Sequence, residues 1–183
     1  KIMFIKNYIK TFNNCLEQTN LYQDQIHQIK DLFLKIKSNN KKVIIIGNGG
    51  SAAIASHVSV DMNKNAGVRT LNFNESSLLT CFSNDFGYDL AFAKAIEMYG
   101  HHGDMLVAIS SSGQSKNILN ACESARTLQF ESIVTLSGFQ GTNPLRSLGD
   151  INLWIDSSAY NMVENTHQFW LLLTLDLLIN EQG

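Results

Sequence analysis

Four consecutive β-branched residues, Val43-Ile44-Ile45-Ile46, run without a polar break into Gly47-Asn48-Gly49-Gly50-Ser51, and then into an alanine-rich run from Ala52 to Met62. An uninterrupted Val/Ile run predicts a strand buried on both faces, as in a parallel sheet. Three glycines in four residues predict a tight turn, and the run after them a helix. Glycine lets the backbone approach a ligand closely, and a helix start offers free N–H groups to an anion. Ser51 suits an N-cap or a hydroxyl aimed at phosphate. The stretch reads as a phosphate-binding first βα turn; read for structure only, it is a glycine turn joining two elements. Lys41 and Lys42, just before the strand, are expected to face solvent.

A chain of 183 residues, 44% hydrophobic and 16% charged, suits one domain with a sizeable core. Its formal net charge of −2 argues against a nucleic-acid or anionic-membrane partner, so an anionic ligand must be held locally. Cys15, Cys81 and Cys122 are odd in number and scattered. They read as reduced core thiols of a cytoplasmic protein. No stretch approaches the roughly 18 apolar residues of a membrane span, and Lys1-Ile2-Met3-Phe4-Ile5-Lys6 is too short and interrupted for a signal peptide.

Residues 4–16 and 21–36 carry apolar residues at helical spacing, with Ile26, Ile29, Leu32, Phe33 and Ile36 in one stripe. These helices precede the first strand, so residues 1–40 form a hairpin ahead of an α/β body at 41–183. Their stripes are expected against another subunit, because helical hairpins outside a sandwich commonly bundle, with packing against the body the close alternative. Beyond the glycine turn, strands are expected at 68–73, 105–110, 132–137 and 151–155. Helices are expected at 52–63, near 80–82, and at 90–99, 116–128 and 162–179. The last helix is nearly apolar after Gln168, which predicts burial, again between subunits.

The second informative stretch is Ser110-Ser111-Ser112-Gly113-Gln114-Ser115, where a strand meets a helix. Hydroxyls and N–H groups converging there can wrap a phosphate without any positive side chain. A serine-rich cap is the structural alternative. Alternating strands and helices imply a parallel sheet covered on both faces, whose ligands bind beyond the carboxyl ends of the strands at the topological switch point. Both motifs follow strands. If strands one and three are neighbours, the two loops face one crevice.

Gly47-Asn48-Gly49-Gly50-Ser51, then Asn84-Asp85-Phe86-Gly87, then Ile109 to Ser115 resemble, in order and spacing, the sugar isomerase (SIS) domain family. Within it the sequence is most similar to the bacterial phosphoheptose isomerases. The resemblance covers nearly the whole chain. It implies a flavodoxin-like three-layer sandwich with a five-stranded parallel sheet, assembled as a homotetramer with sites at subunit interfaces. It implies conversion of sedoheptulose 7-phosphate to D-glycero-D-manno-heptose 7-phosphate through an enediolate, and no nucleotide cofactor. Carried over position by position, Asn48, Gly49 and Gly50 would touch the sugar and Ser51 would help bind it. Asn84 and Asp85 would bind its hydroxyls, and Ser110, Ser111, Ser112 and Ser115 would hold the phosphate.

The catalytic positions depart from the family pattern. His57 matches its histidine, but Asp61 stands where the family has a glutamate base. Glu164 stands for a glutamine, and Leu172 for a catalytic histidine. Leucine transfers no proton. Glu164 is then a candidate base. His57, Asp61 and Glu164 could alternatively form a three-ligand site with one open position, suited to a catalytic zinc, or a hydrogen-bonded polar cluster. His167 is a candidate substitute for the missing histidine, or a packed core residue. Two other functions stay open at this level. A non-catalytic phosphosugar sensor or protein-binding adaptor is favoured by Leu172. A dinucleotide enzyme is suggested by Gly47-x-Gly49-x-x-Ala52, with Glu75 near the place of the ribose-binding acid; the serine loop argues against it.

Overall fold

The computed structural model describes residues 2–182. Helices α1 (Ile2–Glu17) and α2 (Gln23–Ser38) lead into β1 (Val43–Ile46), α3 (Gly50–Asp61), β2 (Thr70–Leu71), α4 (Ser76–Phe86) and α5 (Ala91–Tyr99). Then come β3 (Met105–Ser110), α6 (Lys116–Thr127), β4 (Ser132–Ser137), β5 (Ile151–Trp154) and α7 (Tyr160–Gln182). The five strands are parallel, in the order β2-β1-β3-β4-β5. That order reverses between β1 and β3, which makes their carboxyl ends the switch point of a doubly wound sheet.

Alternation along the strands divides the core into two layers. Val43, Ile45, Met105, Val107, Ile109, Val134 and Leu136 pack with α2, α3 and α7. Ile44, Ile46, Leu106, Ala108 and Ile133 pack with α5 and α6, and with the apolar side of α4. Every β1 and β3 residue is buried, as the unbroken apolar runs require. Each such aliphatic side chain contributes about 1.5–3 kcal/mol.

Four expectations are corrected. The stripe of α2 is buried within the chain, with Ile29, Phe33 and Ile36 fully enclosed alongside Trp170 and Leu178 of α7. The first half of α1 stays apolar and open, at Ile2, Met3, Phe4, Ile5 and Ile9. The second strand shrinks to Thr70–Leu71, because β2 is an edge whose outer side is taken by a side chain: Asn63 accepts from Thr70 N at 3.1 Å and donates to Thr70 O at 2.6 Å. Lys42 does not face solvent. It is buried against Asp104, whose carboxylate it meets as an ion pair and which also accepts from Lys42 N at 3.1 Å. That pair joins the starts of β1 and β3. Finally, Cys15 and Cys122 are buried but Cys81 is exposed, and all three are free thiols. Burial pushes the Cys122 thiol up to about 12. Among the described residues no helix is long and apolar enough to cross a membrane.

His167 is a core residue, fully buried on α7 with Nε2 3.1 Å from Ser137 O at the end of β4. Burial pushes its pKa down to about 4, against a small upward pull from that carbonyl. The unfolded chain therefore takes up a proton near pH 6.5 that the folded chain refuses until about pH 4. Its contribution is complete above the unfolded value and is lost as pH falls between the two, by about 3 kcal/mol in all. Urea unfolding from pH 7.5 to 4.5 should show this slope, and His167→Gln should remove it. Parallel curves for the two proteins would contradict a neutral buried imidazole.

Candidate functional site

A cavity of about 290 Å³ opens where β1 and β3 end, lined by Asn48, Gly49, Gly50, Ser51, Ile109, Ser110, Ser111, Ser112, Ser115, Tyr160 and Glu164. Ile46 pairs with Ala108 across the two strands, so the glycine and serine loops leave the sheet side by side. The structure brings both predicted loops to one hollow.

The glycine turn is tight for a stated reason. A Cβ on Gly47 would lie 2.6 Å from Ser51 Cβ and 2.7 Å from its backbone. Gly49 has φ +55°, a conformation that side chains disfavour. It is Gly49, not Ser51, that caps α3. Ser51 lies inside the first turn, its N–H bonded to Asn48 O at 3.0 Å, and is buried at the cavity wall. The Asn48 and Asn117 carboxamides bond reciprocally at 2.9 and 3.0 Å, and Tyr88 donates to Asn48 Oδ1 at 2.8 Å. Asn48 thus ties β1's loop to α6.

In the serine loop, Gly113 has φ +67° and packs under Asn143. Ser110 Oγ lies 3.1 Å from Ser115 Oγ, and Ser115 is the N-cap residue of α6. Gly138 N donates to Ser111 O at 2.9 Å, fixing the loop to the end of β4. The starts of α3 and α6 both border the hollow, together with the side chains of Ser51, Ser110, Ser111, Ser112 and Ser115. Among the described residues no lysine or arginine lines it. Such a lining suits an anion met by helix N-termini and hydroxyls.

Among the described residues Glu164 is the one ionisable carboxylate in that lining. Its carboxyl group rests on Gly50, where an added Cβ would come within 2.2 Å of Oε2. One wall further, Gly50, Ala53, Ile54, Glu164, Asn165 and Gln168 border a second hollow of about 210 Å³. His57 and Asp61 follow on the same helix, with Nε2 and Oδ2 3.2 Å apart. His57 Nδ1 is 3.0 Å from Gln168 Nε2. Helices α3 and α7 therefore run alongside each other with Gly50 next to Glu164 and His57 next to Gln168.

Several expected residues stand elsewhere or stand apart. Asn84 and Asp85 are exposed at the end of α4 and bonded to each other at 2.9 Å, outside the lining of this cavity. Within one chain His57, Asp61 and Glu164 do not assemble as ligands: among the described residues no group of three His, Cys, Asp or Glu could hold a metal ion. The residues present do not fit a zinc held by a single chain. Glu75, the acid that the dinucleotide alternative requires, accepts from Ser77 N at 3.0 Å and Leu78 N at 2.9 Å as the N-cap of α4. Those backbone donors hold its carboxyl below the usual range. Sequence reasoning missed Tyr160, Gln168 and the Asn117 anchor. Gln168 had a signal, standing one helical turn after Glu164 on the same face.

Residues 7–137 match the SIS domain family. The chain belongs to it. Among curated SIS relatives, a phosphoheptose isomerase of Helicobacter pylori is 31% identical over 162 residues, spanning 85% of this chain and 83% of the relative. One of Buchnera aphidicola is 35% identical over 157 residues, spanning 83% and 80%. Among solved structures, a phosphoheptose isomerase from Francisella tularensis superposes with a TM-score of 0.90 at 26% identity, covering 99% of this chain and 98% of that one.

For this SIS domain the contact between Gly50 and Glu164 is open to a direct check. Gly50→Ala should fold, with a melting temperature lower by about 2–4 °C for each kcal/mol lost. Its crystal structure should show the Glu164 carboxylate swung out of the cavity. An unmoved carboxylate would contradict the close approach.

Proposed function

We propose that this chain is a phosphoheptose isomerase, converting sedoheptulose 7-phosphate to D-glycero-D-manno-heptose 7-phosphate. The observation that carries the reading is the joining, in one hollow, of a cation-free phosphate cradle and the Glu164 carboxylate. A volume of about 290 Å³ lies at the small end of ligand sites, as fits a polar metabolite. The names and coverage of the relatives support isomerase chemistry over the sensor or adaptor alternative.

In this reading Ser110, Ser111, Ser112 and Ser115 hold the phosphate, with the starts of α3 and α6 behind it. Asn48, Gly49, Gly50 and Ser51 form the wall along the sugar. An aldose–ketose isomerisation must move a proton between neighbouring carbons and steady an enediolate. Glu164 takes the proton from one carbon and returns it to the next. His57, paired with Asp61, stands further along α3 and shapes the polar side of the site beyond Glu164. Leu172 contributes no proton, so the acid–base work falls to Glu164. No step is routed through a metal.

The assembly belongs to the same proposal. A homotetramer would cover Ile2, Met3, Phe4 and Ile5, which are 58–75% exposed. It would also give Asn84 and Asp85 a place at a neighbouring copy's site. Free thiols fit a cytoplasmic location.

Incubation with sedoheptulose 7-phosphate in D₂O, followed by NMR, should show aldose product with deuterium at the reacting carbon. Glu164→Gln should lower kcat by about 10²–10⁴-fold while the sugar phosphate still raises the melting temperature. No turnover by the native protein, or full turnover by the variant, would contradict the assignment.

A further inference from the structure

Gln168 lies on α7 between Glu164 and Leu172, one helical turn from each, and reaches across to His57 on α3. His57 is engaged from both sides. Nε2 faces Asp61 Oδ2 at 3.2 Å, and Nδ1 faces Gln168 Nε2 at 3.0 Å. An ionised carboxylate only accepts, so the ring nitrogen next to it is the one that carries the proton. In a neutral imidazole the other nitrogen is then an acceptor, and its partner must be a donor. A primary carboxamide meets that requirement through its NH₂ group. Glutamate at this place would offer no proton, and leucine neither donor nor acceptor. Donor and acceptor therefore alternate from Gln168 through His57 to Asp61.

Packing does not do this work. The His57 side chain is 48% exposed and has room to turn. Two polar partners on opposite edges of the ring define its plane and its tautomer. The arrangement also occupies the Nδ1 lone pair and directs Nε2 at a carboxylate, which leaves no free ring nitrogen for a metal. Gln168 borders the same hollow as Gly50 and Glu164, and Glu164 is shared with the phosphate cavity. The histidine so held stands along the line from the cradle past the base.

We propose that Gln168 is a positioning residue, whose carboxamide holds His57 as the Nε2–H tautomer beside Asp61. It touches no reacting atom and acts through His57. The proposal rests on the isomerase reading above, and its test separates the two.

Protein labelled with ¹⁵N in the histidine rings, with the His57 signals assigned by loss in His57→Asn, should show one dominant Nε2–H tautomer at pH 8. In Gln168→Met, which keeps length and helix preference but has no donor, the signals should move toward a mixture of tautomers. Turnover of sedoheptulose 7-phosphate should fall about 10- to 100-fold in kcat with KM within about twofold. Gln168→Glu keeps the shape and removes the donor, so it should lose kcat to a similar extent, and it serves if Gln168→Met does not fold. An unchanged tautomer and a kcat within twofold in the folded variants would overturn the positioning role. A native protein that turns over no sugar phosphate would overturn the isomerase reading instead, with the NMR comparison still deciding what Gln168 does to His57.

Discussion

The parallel pairing of β1 with β3 is the constraint on which the site depends. Their register, Val43 to Met105 and Ile46 to Ala108, sets two loop starts beside each other, two residues apart, at one edge of the sheet. At the opposite edge the buried Lys42–Asp104 pair joins the same two strands. Breaking such a pair leaves an uncompensated buried charge, which makes it a strong determinant of register even where its net contribution to stability is small. Hydrophobic burial on both faces does the rest, because a slip of one residue would exchange the two core layers. Given that register, the glycine turn and the serine loop have no choice but to share a hollow.

In the proposed reading, how the hollow would hold an anion follows from what it lacks. With no lysine or arginine among the described residues of its lining, the proposed attraction comes from backbone N–H groups at two helix starts and from serine hydroxyls. Donors of this kind are fixed in direction before the ligand arrives, so little ordering is left to pay for on binding. The reciprocal Asn48–Asn117 bonds and the Ser111–Gly138 bond hold the two loops in place. In the proposed reading the Glu164 carboxylate set into the same lining serves the chemistry and not the binding. Glu164 reaches its place only because Gly50 has no side chain.

Much of this could be read from the residues. Val43 to Ile46 reads as a central strand because no polar residue interrupts it, and the strand–glycine–helix order marks the phosphate edge without a structure. The serine loop is legible for the same reason. What the sequence hides is long-range and polar. Lys42 looks like a solvated lysine until Asp104, 62 residues away, is seen beside it. Asn63 gives no local sign that it closes the outer edge of β2. Helices α2 and α7 carry apolar stripes that fit a neighbouring subunit as well as they fit each other, and periodicity alone does not choose. The candidate catalytic side chains are the hardest case. His57, Asp61 and Glu164 invite grouping as ligands, whereas the tertiary contact pairs His57 with Gln168 and leaves Glu164 on Gly50.

The central claim is that one phosphate is gripped by both loops with its sugar laid toward Glu164. A crystal structure with sedoheptulose 7-phosphate bound to the Glu164→Gln protein tests it most directly. The account predicts phosphate density between Ser110–Ser115 and the start of α3, with the carbonyl end of the sugar next to residue 164. Phosphate bound on another face of the sheet, or a sugar chain running away from residue 164, would contradict it.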